Sequence, residues 1–311
     1  MNNLISDLQK EKLINTFGEY LIENAPLAKF SSARLGGYAD FMLTAHSAFY
    51  LEKMVTFLWE EEIPFHILGG GSNILISDAG VRQLVILNKA KKLAFNEDDQ
   101  ELPTVWAESG TNFGSLARQA AQKGFSGLEW AAGIPGTLGG AIFGNAGAHG
   151  KDMSNNLKLA EVLQLEEGRK LWSVNQMGFT YRNSTLKTES GKYIVLSATL
   201  NLEPGKPEEI QEKMEEYLQF RRRTQPPGAS MGSMFKNPAG DHAGRLIEVA
   251  GLKGSRIGDA QISELHANFF INHGEAKAQD VYQLIQLAQE KVKDQFDVLL
   301  ELEIQLFGDW K

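Results

Sequence analysis

The chain has 311 residues, 42% hydrophobic and 23% charged, and this length predicts two or three domains. Its net charge of −8 argues against nucleic acid or an anionic membrane as the main partner. No cysteine is present, which excludes disulfides and thiolate catalysis and fits a reducing compartment. The six histidines are scattered without metal-binding spacing, so we expect no metal site.

The first part of the chain predicts an α+β unit that ends in a glycine run. The first residues do not form a basic stretch followed by an apolar one, so we expect no signal peptide. Residues 7–20 predict a short amphipathic helix. Residues 41–43 predict a strand, Ser47 caps a helix that reaches Glu62, and the strand 65–68 leads into Gly69-Gly70-Gly71-Ser72-Asn73. This order is typical of a phosphate-binding unit, but neither GxGxxG nor GxxxxGK[ST] is present. Arg34, before the Gly36-Gly37 turn, is either a solvated charge or a phosphate partner.

A second glycine-rich segment runs from Gly124 to Gly150, with nine glycines in 27 residues. Because glycine tolerates sharp turns and close approach, the segment is either a ligand cradle or a structural loop. Backbone amides presented by small residues suit a diphosphate. We exclude a transmembrane span, since the uncharged stretch 130–148 contains six glycines, Pro135 and Asn145.

The middle of the chain predicts a second lobe. The polar stretch 88–103 marks the join, strands are predicted over 105–108, 159–165 and 193–202, and Thr111 or Asn112 caps a helix that Gly124 ends. A further helix over 207–223 ends in Arg221-Arg222-Arg223. These arginines either match the helix dipole or bind a diphosphate or a 2′-phosphate. We place the last domain boundary near residue 215.

The last part of the chain contains GSMFKNP (232–238), a helix over 278–296 and an alternating strand that ends the chain. The alternation puts Glu301 and Glu303 on one face of the strand, pointing to solvent or into a cleft. Residues 228–232 match the G-x-S-x-G pattern of serine hydrolases, but the required strand before it and helix after it are missing. A serine hydrolase is therefore disfavoured.

Taken together, these motifs resemble the UDP-N-acetylenolpyruvoylglucosamine reductase family, flavoenzymes of peptidoglycan synthesis. The similar pieces follow one another in family order along nearly the whole chain: SSARLGG, LGGGSN, GIPGTLGGAIFGNAGAHG, TYRNS, GSMFKNP, GLKGSRIGDAQISELHANFFIN and ELEIQLFG. The resemblance implies an α+β fold with a two-lobed FAD-binding domain of the vanillyl-alcohol-oxidase (PCMH) type and a smaller C-terminal α+β substrate-binding domain. We expect the lobes at about 1–95 and 96–215, and the C-terminal domain at 216–311.

The resemblance also implies a set of functional residues. Catalysis would fall to Arg182, Ser233 and Glu303. Substrate would be bound by Lys236, Asn237, Arg221 and Asn268. The cofactor would be bound by Arg34, Gly69, Gly70, Gly71, Ser72, Asn73, Gly133, Pro135, Gly136, Gly139, Gly140, Asn145, Ala146 and Gly147. No inserted loop that could carry the substrate-covering tyrosine of one subgroup is found, so the chain resembles the subgroup without it.

The implied activity is the NADPH-dependent reduction of UDP-N-acetylglucosamine enolpyruvate to UDP-N-acetylmuramate by a cytoplasmic, monomeric FAD enzyme. Arg182 would hold the substrate carboxylate, Glu303 would assist as a protonated or tightly paired group, and Ser233 would protonate the middle carbon as general acid. Lys236 and Asn237 are close enough in sequence to help Ser233. Two alternatives stay open: a related FAD oxidase or dehydrogenase with another substrate, and a non-catalytic sugar-nucleotide binder.

Overall fold

The computed structural model describes residues 4–97 and 102–310. In this part of the chain, three α+β units follow one another. The first and second units form two lobes, and the third is a C-terminal domain. The buried apolar side chains form four clusters, two centred on the first lobe, one on the second lobe and one on the C-terminal domain, with some residues crossing between units. No helix among the described residues is long and apolar enough to cross a membrane.

The first lobe is built on a sheet in the order β1-β2-β5-β3, with β1 antiparallel to β2 and the other pairs parallel. Helix α2 begins after Ser47, whose side chain accepts a hydrogen bond from the Tyr50 N–H as an N-cap, and it buries Leu51, Val55 and Leu58 against the sheet side of the lobe. The elements of this lobe are α1 (Asp7–Phe17), β1 (Ile22–Pro26), β2 (Tyr38–Ala45), α2 (Ala48–Glu60), β3 (Phe65–Leu68), β4 (Ile74–Ile76) and β5 (Val81–Asn88).

The second lobe is built on an antiparallel sheet in the order β12-β11-β13-β7-β6. Its glycine-rich segment folds into short turns and the helix α4. The elements are β6 (Leu93–Asn96), β7 (Thr104–Glu108), α3 (Phe113–Gln122), β8 (Phe125–Ser126), α4 (Leu138–Phe143), β9 (Gly147–Ala148), β10 (Lys151–Asp152), α5 (Met153–Asn156), β11 (Leu157–Gln164), β12 (Gly168–Ser173), α6 (Thr185–Thr188), β13 (Tyr193–Asn201), β14 (Glu203–Pro204) and α7 (Pro207–Thr224).

The C-terminal domain packs a long helix on a small antiparallel sheet in the order β15-β16-β17. Helix α9 buries Val281, Leu284, Ile285, Ala288 and Val292, the face that the sequence spacing predicts. The elements are α8 (Ala243–Val249), β15 (Arg256–Ile257), β16 (Ala260–Ile262), β17 (Phe270–Asn272), α9 (Ala278–Phe296) and β18 (Gln305–Phe307).

The C-terminal domain is tied closely to the first lobe. Strand β18 pairs in parallel with β4, and the Asn272 side chain donates to the carbonyl of Ala33 over 2.9 Å. The carboxylate of Asp78 accepts hydrogen bonds of 2.9 Å from the backbone N–H groups of Ala278 and Gln279, the first two residues of α9. A first-lobe carboxylate therefore caps a helix of the C-terminal domain.

Replacing Asp78 with alanine should lower the free energy of unfolding by about 1 kcal/mol, because it leaves two helix N–H groups without their acceptor. Asp78→Asn keeps one acceptor oxygen and should cost less. Urea unfolding of the two variants and the wild type measures the difference. An alanine variant as stable as the wild type would show that the cap contributes nothing.

Two features of the fold concern the predicted domain boundary and the predicted terminal strand. Helix α7 is continuous through residue 215, so we propose that the C-terminal domain begins after Thr224, where the helix ends. The predicted terminal strand is regular only over Gln305–Phe307, whereas Leu302 joins Phe235 by an isolated bridge. Glu301 and Glu303 consequently meet different partners: Lys236 lies 3.3 Å from Glu301 and Arg182 lies 3.0 Å from Glu303.

Candidate functional site

A cavity of about 640 Å³ lies where the two lobes and the C-terminal domain meet. The first lobe contributes the loop Gly69–Asn73, and the second lobe contributes the glycine-rich segment and Arg182. The C-terminal domain contributes Ser233 and Glu303. The three predicted catalytic residues, far apart in sequence, therefore line one space together with most of the predicted cofactor residues, which are Gly69, Gly70, Gly71, Ser72, Asn73, Pro135, Gly136, Gly139, Gly140, Ala146 and Gly147.

The loop after β3 lines this cavity and has a run of backbone donors without a protein acceptor among the described residues. Within the described part of the chain, no hydrogen bond uses the backbone N–H groups of Gly70, Gly71, Ser72 or Asn73. Gly71 has a positive φ of 59°, which bends the loop as an anion-binding backbone nest requires. Four consecutive donors without a protein acceptor fit a diphosphate, so the residues present suit the cofactor that the resemblance implies.

The two glycine-rich loops pack directly on each other. A Cβ atom at Gly70 would lie 2.6 Å from the Cα of Gly136, and one at Gly139 would lie 2.9 Å from the Cβ of Ser109. The Ser72 hydroxyl donates to the carbonyl of Pro135 over 3.2 Å. Gly70 is therefore required for the close contact between the lobes, and Gly139 for the packing of α4 within the second lobe.

Arg182 lies on a tight turn that the glycine-rich segment supports. Thr180 and Asn183 exchange two backbone hydrogen bonds of 3.1 Å, and Arg182 between them has a φ of 55°. The Asn145 side chain donates to the carbonyl of Thr180 over 2.9 Å. The Nη2 of Arg182 donates to the carbonyl of Gly147 over 2.8 Å. The turn fixes the arginine although its backbone conformation is unfavourable for a residue with a Cβ.

Glu303 meets Arg182 across the junction between the second lobe and the C-terminal domain. Its Oε1 lies 3.0 Å from the Nε of Arg182, and both side chains are largely buried. Burial raises the pKa of Glu303, and the nearby positive charges of Arg182, Lys187 and Lys236 oppose this change. The pairing supplies the counter-charge that a carboxylate needs at this depth.

Ser233 lies on an extended segment that Asn268 holds in place. Ser233 pairs with Phe269 by an isolated bridge, and the Met234 N–H donates to the Asn268 carbonyl over 2.8 Å. The Asn268 side chain exchanges two hydrogen bonds, of 2.9 and 2.8 Å, with the backbone of Phe235. Asn268 is buried and does not line the cavity, so the structure places it behind Ser233, and its contact with substrate stays a prediction.

The two predicted helpers of Ser233, Lys236 and Asn237, also lie outside the cavity wall. The Nζ of Lys236 lies 3.3 Å from Glu301. The Oδ1 of Asn237 accepts from the Ala243 N–H over 3.1 Å, and its own N–H donates to the Tyr181 hydroxyl over 3.4 Å. Among the described residues, no hydrogen bond joins either side chain to Ser233. Their predicted substrate contacts stay predictions.

The three arginines at the end of α7 have different surroundings. Arg222 is exposed and pairs with Glu215 over 3.1 Å, and Arg223 is exposed. Arg221 lines the cavity, is partly buried, and has no carboxylate within ion-pair distance in the described ranges. Burial lowers its pKa, but an arginine stays charged. Of the two interpretations, the solvated helix end fits Arg222 and Arg223, and an anion site fits Arg221.

Three predicted cofactor residues do not line the cavity. The Arg34 side chain is exposed, and its neighbours Ala33 and Leu35 pack in the core of the C-terminal domain. A Cβ at Gly133 would lie 2.9 Å from Leu218, so this glycine makes room for α7. Asn145 holds the turn of Arg182, although its Oδ1 is buried without a hydrogen-bond partner. Contact of these residues with a cofactor stays a prediction.

Lys187 also lines the cavity, although no sequence motif marks it as a site residue. It lies on the one-turn helix α6, five residues after Arg182, and its ammonium group donates to the Arg182 carbonyl over 3.2 Å. Burial lowers the pKa of Lys187, and the charges of Lys236 and Arg182 act in the same direction, against Glu303. The chain has 31 lysines and arginines, and nothing in the sequence around Lys187 distinguishes it from an exposed lysine.

Two family models match the chain. Residues 224–307 match the UDP-N-acetylenolpyruvoylglucosamine reductase C-terminal domain, and residues 39–172 match an FAD binding domain. A UDP-N-acetylenolpyruvoylglucosamine reductase of Bacillus velezensis is 38% identical over 312 aligned residues, which cover 99% of both chains. One of a Synechococcus species is 43% identical over 288 residues, covering 92% of this chain and 90% of that protein.

A solved structure agrees with these relatives. The crystal structure of UDP-N-acetylenolpyruvylglucosamine reductase from Thermus caldophilus superposes with a TM-score of 0.77 at 34% identity, covering 92% of this chain and 98% of that one. The predicted fold class is therefore confirmed: an α+β FAD-binding domain with two lobes is followed by the C-terminal domain of this family.

Proposed function

Because the chain belongs to the UDP-N-acetylenolpyruvoylglucosamine reductase family of FAD-dependent oxidoreductases, we propose that it reduces UDP-N-acetylglucosamine enolpyruvate to UDP-N-acetylmuramate with NADPH. The observation that carries the proposal is the meeting of Arg182, Glu303 and Ser233 in the cavity that the two glycine loops line. The role in peptidoglycan precursor synthesis and the cytoplasmic location follow from the family and belong to the proposal.

FAD, when bound, supplies the hydride carrier that NADPH reduces and the enolpyruvyl substrate reoxidises. The residues proposed to hold its diphosphate are Gly70 to Asn73, whose N–H groups have no acceptor in the described part of the chain. Gly136, Gly139 and Gly140 on the facing loop provide the space. The chain's own contribution is to bind, orient and protonate.

Arg182 is proposed to hold the carboxylate of the enolpyruvyl group. When hydride adds to the terminal methylene carbon, negative charge develops toward that carboxylate as an enolate. A guanidinium group aimed there stabilises the charge in the transition state more than in the ground state. Nη2 of Arg182 donates to the Gly147 carbonyl, and Nε lies within ion-pair distance of Glu303, so these two contacts restrain the guanidinium group before substrate binds.

Glu303 is proposed to orient Arg182 as its ionised partner. The sequence left two states open for Glu303, protonated or tightly paired. Its separation of 3.0 Å from Arg182 favours the paired state. A bare carboxylate in this position would repel the carboxylate of the substrate, and pairing removes most of that repulsion.

Ser233 is proposed to protonate the carbon that bears the carboxylate. This proton and the hydride added to the methylene together convert the enolpyruvyl group into the lactyl ether of the product. Ser233 faces the same cavity as Arg182, and its backbone is fixed by the bridge to Phe269. A positioned acid of this kind contributes about 10²- to 10⁴-fold.

Gly140 offers a way to test the proposed cofactor site separately from the fold. A Cβ atom there would have the Thr137 hydroxyl as its nearest neighbour, at 3.5 Å, whereas one at Gly139 would press on Ser109. Gly140→Ala should therefore keep FAD, and Gly140→Leu should lose it because the longer side chain enters the cavity, with little change in thermal unfolding of the apoprotein. Flavin absorbance of the purified variants measures retention. Full FAD content in the leucine variant would show that the cofactor lies elsewhere.

The proposed function is tested by substrate-dependent oxidation of NADPH. Purified protein should be yellow, lose its colour with NADPH and form UDP-N-acetylmuramate, identified by mass spectrometry, when the enolpyruvyl sugar nucleotide is added. A colourless protein would favour the sugar-nucleotide binder. A flavoprotein that NADPH reduces but this substrate does not reoxidise would favour a related oxidase or dehydrogenase.

A further inference from the structure

Lys187 is held in one position by the fold around it. It follows Ser184, the N-cap of α6, whose buried hydroxyl donates to the carbonyl of Phe143 at the end of α4 over 2.7 Å. The Lys187 N–H in turn donates to the Ser184 carbonyl over 3.1 Å. The ammonium group then reaches back to the Arg182 carbonyl over 3.2 Å. The lysine is thus tied to the glycine-rich segment at one end and to the Arg182 turn at the other.

The charges around the Arg182 turn cancel in pairs, except for that of Lys187. Arg182 and Glu303 form one ion pair, and Lys236 and Glu301 form another. Each pair is neutral, so Lys187 supplies the remaining positive charge beside Glu303. No carboxylate lies within ion-pair distance of Lys187 among residues 4–97 and 102–310. A half-buried, unpaired ammonium group in a cavity wall is costly unless an anion shares the cavity.

We propose that Lys187 is a further positioning residue of this reaction: it fixes the turn that carries Arg182 and supplies the second positive charge beside Glu303. This role rests on the proposed function. With Lys187 charged, Glu303 stays ionised and keeps Arg182 aimed, and the group of Arg182, Lys187 and Glu303 retains one net positive charge for the substrate carboxylate. Without it, that group is neutral and Glu303 takes up a proton more readily.

The direction of the pH effect follows from the groups that face Glu303. These are Arg182 on the turn, Lys187 on α6 and Lys236 on the segment after Ser233, and each lowers the pKa of Glu303 against the effect of burial. Removing one of the three cations favours the protonated carboxyl, so the pKa of Glu303 rises. As the pH falls, Glu303 in the variant is therefore protonated at a higher pH than in the wild type, and its ion pair with Arg182 is lost there.

The test uses the FAD-loaded enzyme, reduced with NADPH and mixed without oxygen with the enolpyruvyl sugar nucleotide, between about pH 5 and pH 9. For Lys187→Gln, which keeps a donor for the Arg182 carbonyl but no charge, the acidic limb of the reoxidation rate should move up by about one pH unit. Lys187→Met should show the same shift with a lower rate, and Lys187→Arg should restore the wild-type limb. Flavin reduction by NADPH should stay near the wild-type rate in all three variants.

Lys192→Met is the matched control. Lys192 is exposed, pairs with Glu189 over 3.1 Å and lies outside the cavity wall, so its loss removes one charge from the same segment without touching Glu303. Its pH profile should superimpose on that of the wild type. An acidic limb that does not move in Lys187→Gln would overturn the role of Lys187. A wild-type enzyme that the substrate fails to reoxidise would instead defeat the proposed function itself.

Discussion

Replacing Ser233 with alanine should slow reoxidation of the reduced enzyme by the enolpyruvyl substrate by about 10²-fold and leave reduction by NADPH near the wild-type rate. Ser233 is proposed to act only when the substrate carbon needs its proton, and reduction by NADPH requires no proton from that hydroxyl. Stopped-flow measurement of flavin absorbance, without oxygen, records the two half-reactions separately.

Ser230→Ala is the control for this variant. Ser230 is the central serine of the G-x-S-x-G match, three residues before Ser233, and it does not line the cavity. No helix directly follows this match, since the next one, α8, begins at Ala243, which removes the remaining support for a serine hydrolase. Both half-reactions of Ser230→Ala should be normal. If both half-reactions fall together in Ser233→Ala, the serine is only a structural residue of its turn.

Arg182→Lys should also slow reoxidation by about 10²-fold, with FAD content and reduction by NADPH preserved. Lysine keeps the positive charge, but a single ammonium group cannot both bond the Gly147 carbonyl and face Glu303 as the guanidinium does. The substrate carboxylate would then meet a mobile point charge. Single-turnover rates of the reduced variant measure the effect.

Arg169→Lys provides the comparison for this substitution. Arg169 is an exposed residue of β12 that pairs with Glu161 over 2.7 Å and with Glu52 over 3.4 Å, away from the cavity. Exposed pairs of this kind contribute little, so the variant should behave as the wild type. Normal turnover of Arg182→Lys would remove Arg182 from the proposed mechanism.

Local sequence patterns correctly predict the helices and strands whose capping residues and apolar spacing lie within the element itself. The N-cap Ser47 and the apolar face of α2, the strand before the first glycine run, and the long helix α9 lie where the sequence predicts them. In each case the capping residue or the spacing of apolar side chains is complete within the element itself. The resemblance to a family then supplied the order of the units.

The terminal segment shows where a local pattern is ambiguous. Its alternation is real, since Leu300 and Ile304 are buried and Glu301 is exposed, but Leu306 is exposed and only residues 305–307 join a strand of the first lobe. The alternation of apolar and polar residues indicates which side chains face a core. It does not report which neighbouring edge is free to pair, because that depends on residues far away in sequence.

The arrangement of the site could be predicted only in part. The motifs predicted that Arg182, Ser233 and Glu303 act together, and the structure brings all three to one cavity. The sequence could not predict that the Asn268 side chain is hydrogen-bonded to the backbone of Phe235 or that Lys236 pairs with Glu301. These contacts join different elements of the C-terminal domain, so no spacing within one segment encodes them.

The central claim is that this one cavity passes hydride from NADPH to the enolpyruvyl sugar nucleotide. The most direct measurement reduces the purified enzyme with one equivalent of NADPH without oxygen and then adds UDP-N-acetylglucosamine enolpyruvate. We predict that the flavin absorbance returns within a single turnover and that one UDP-N-acetylmuramate forms per flavin. A flavin that stays reduced, or one that is reoxidised without formation of this product, would contradict the account.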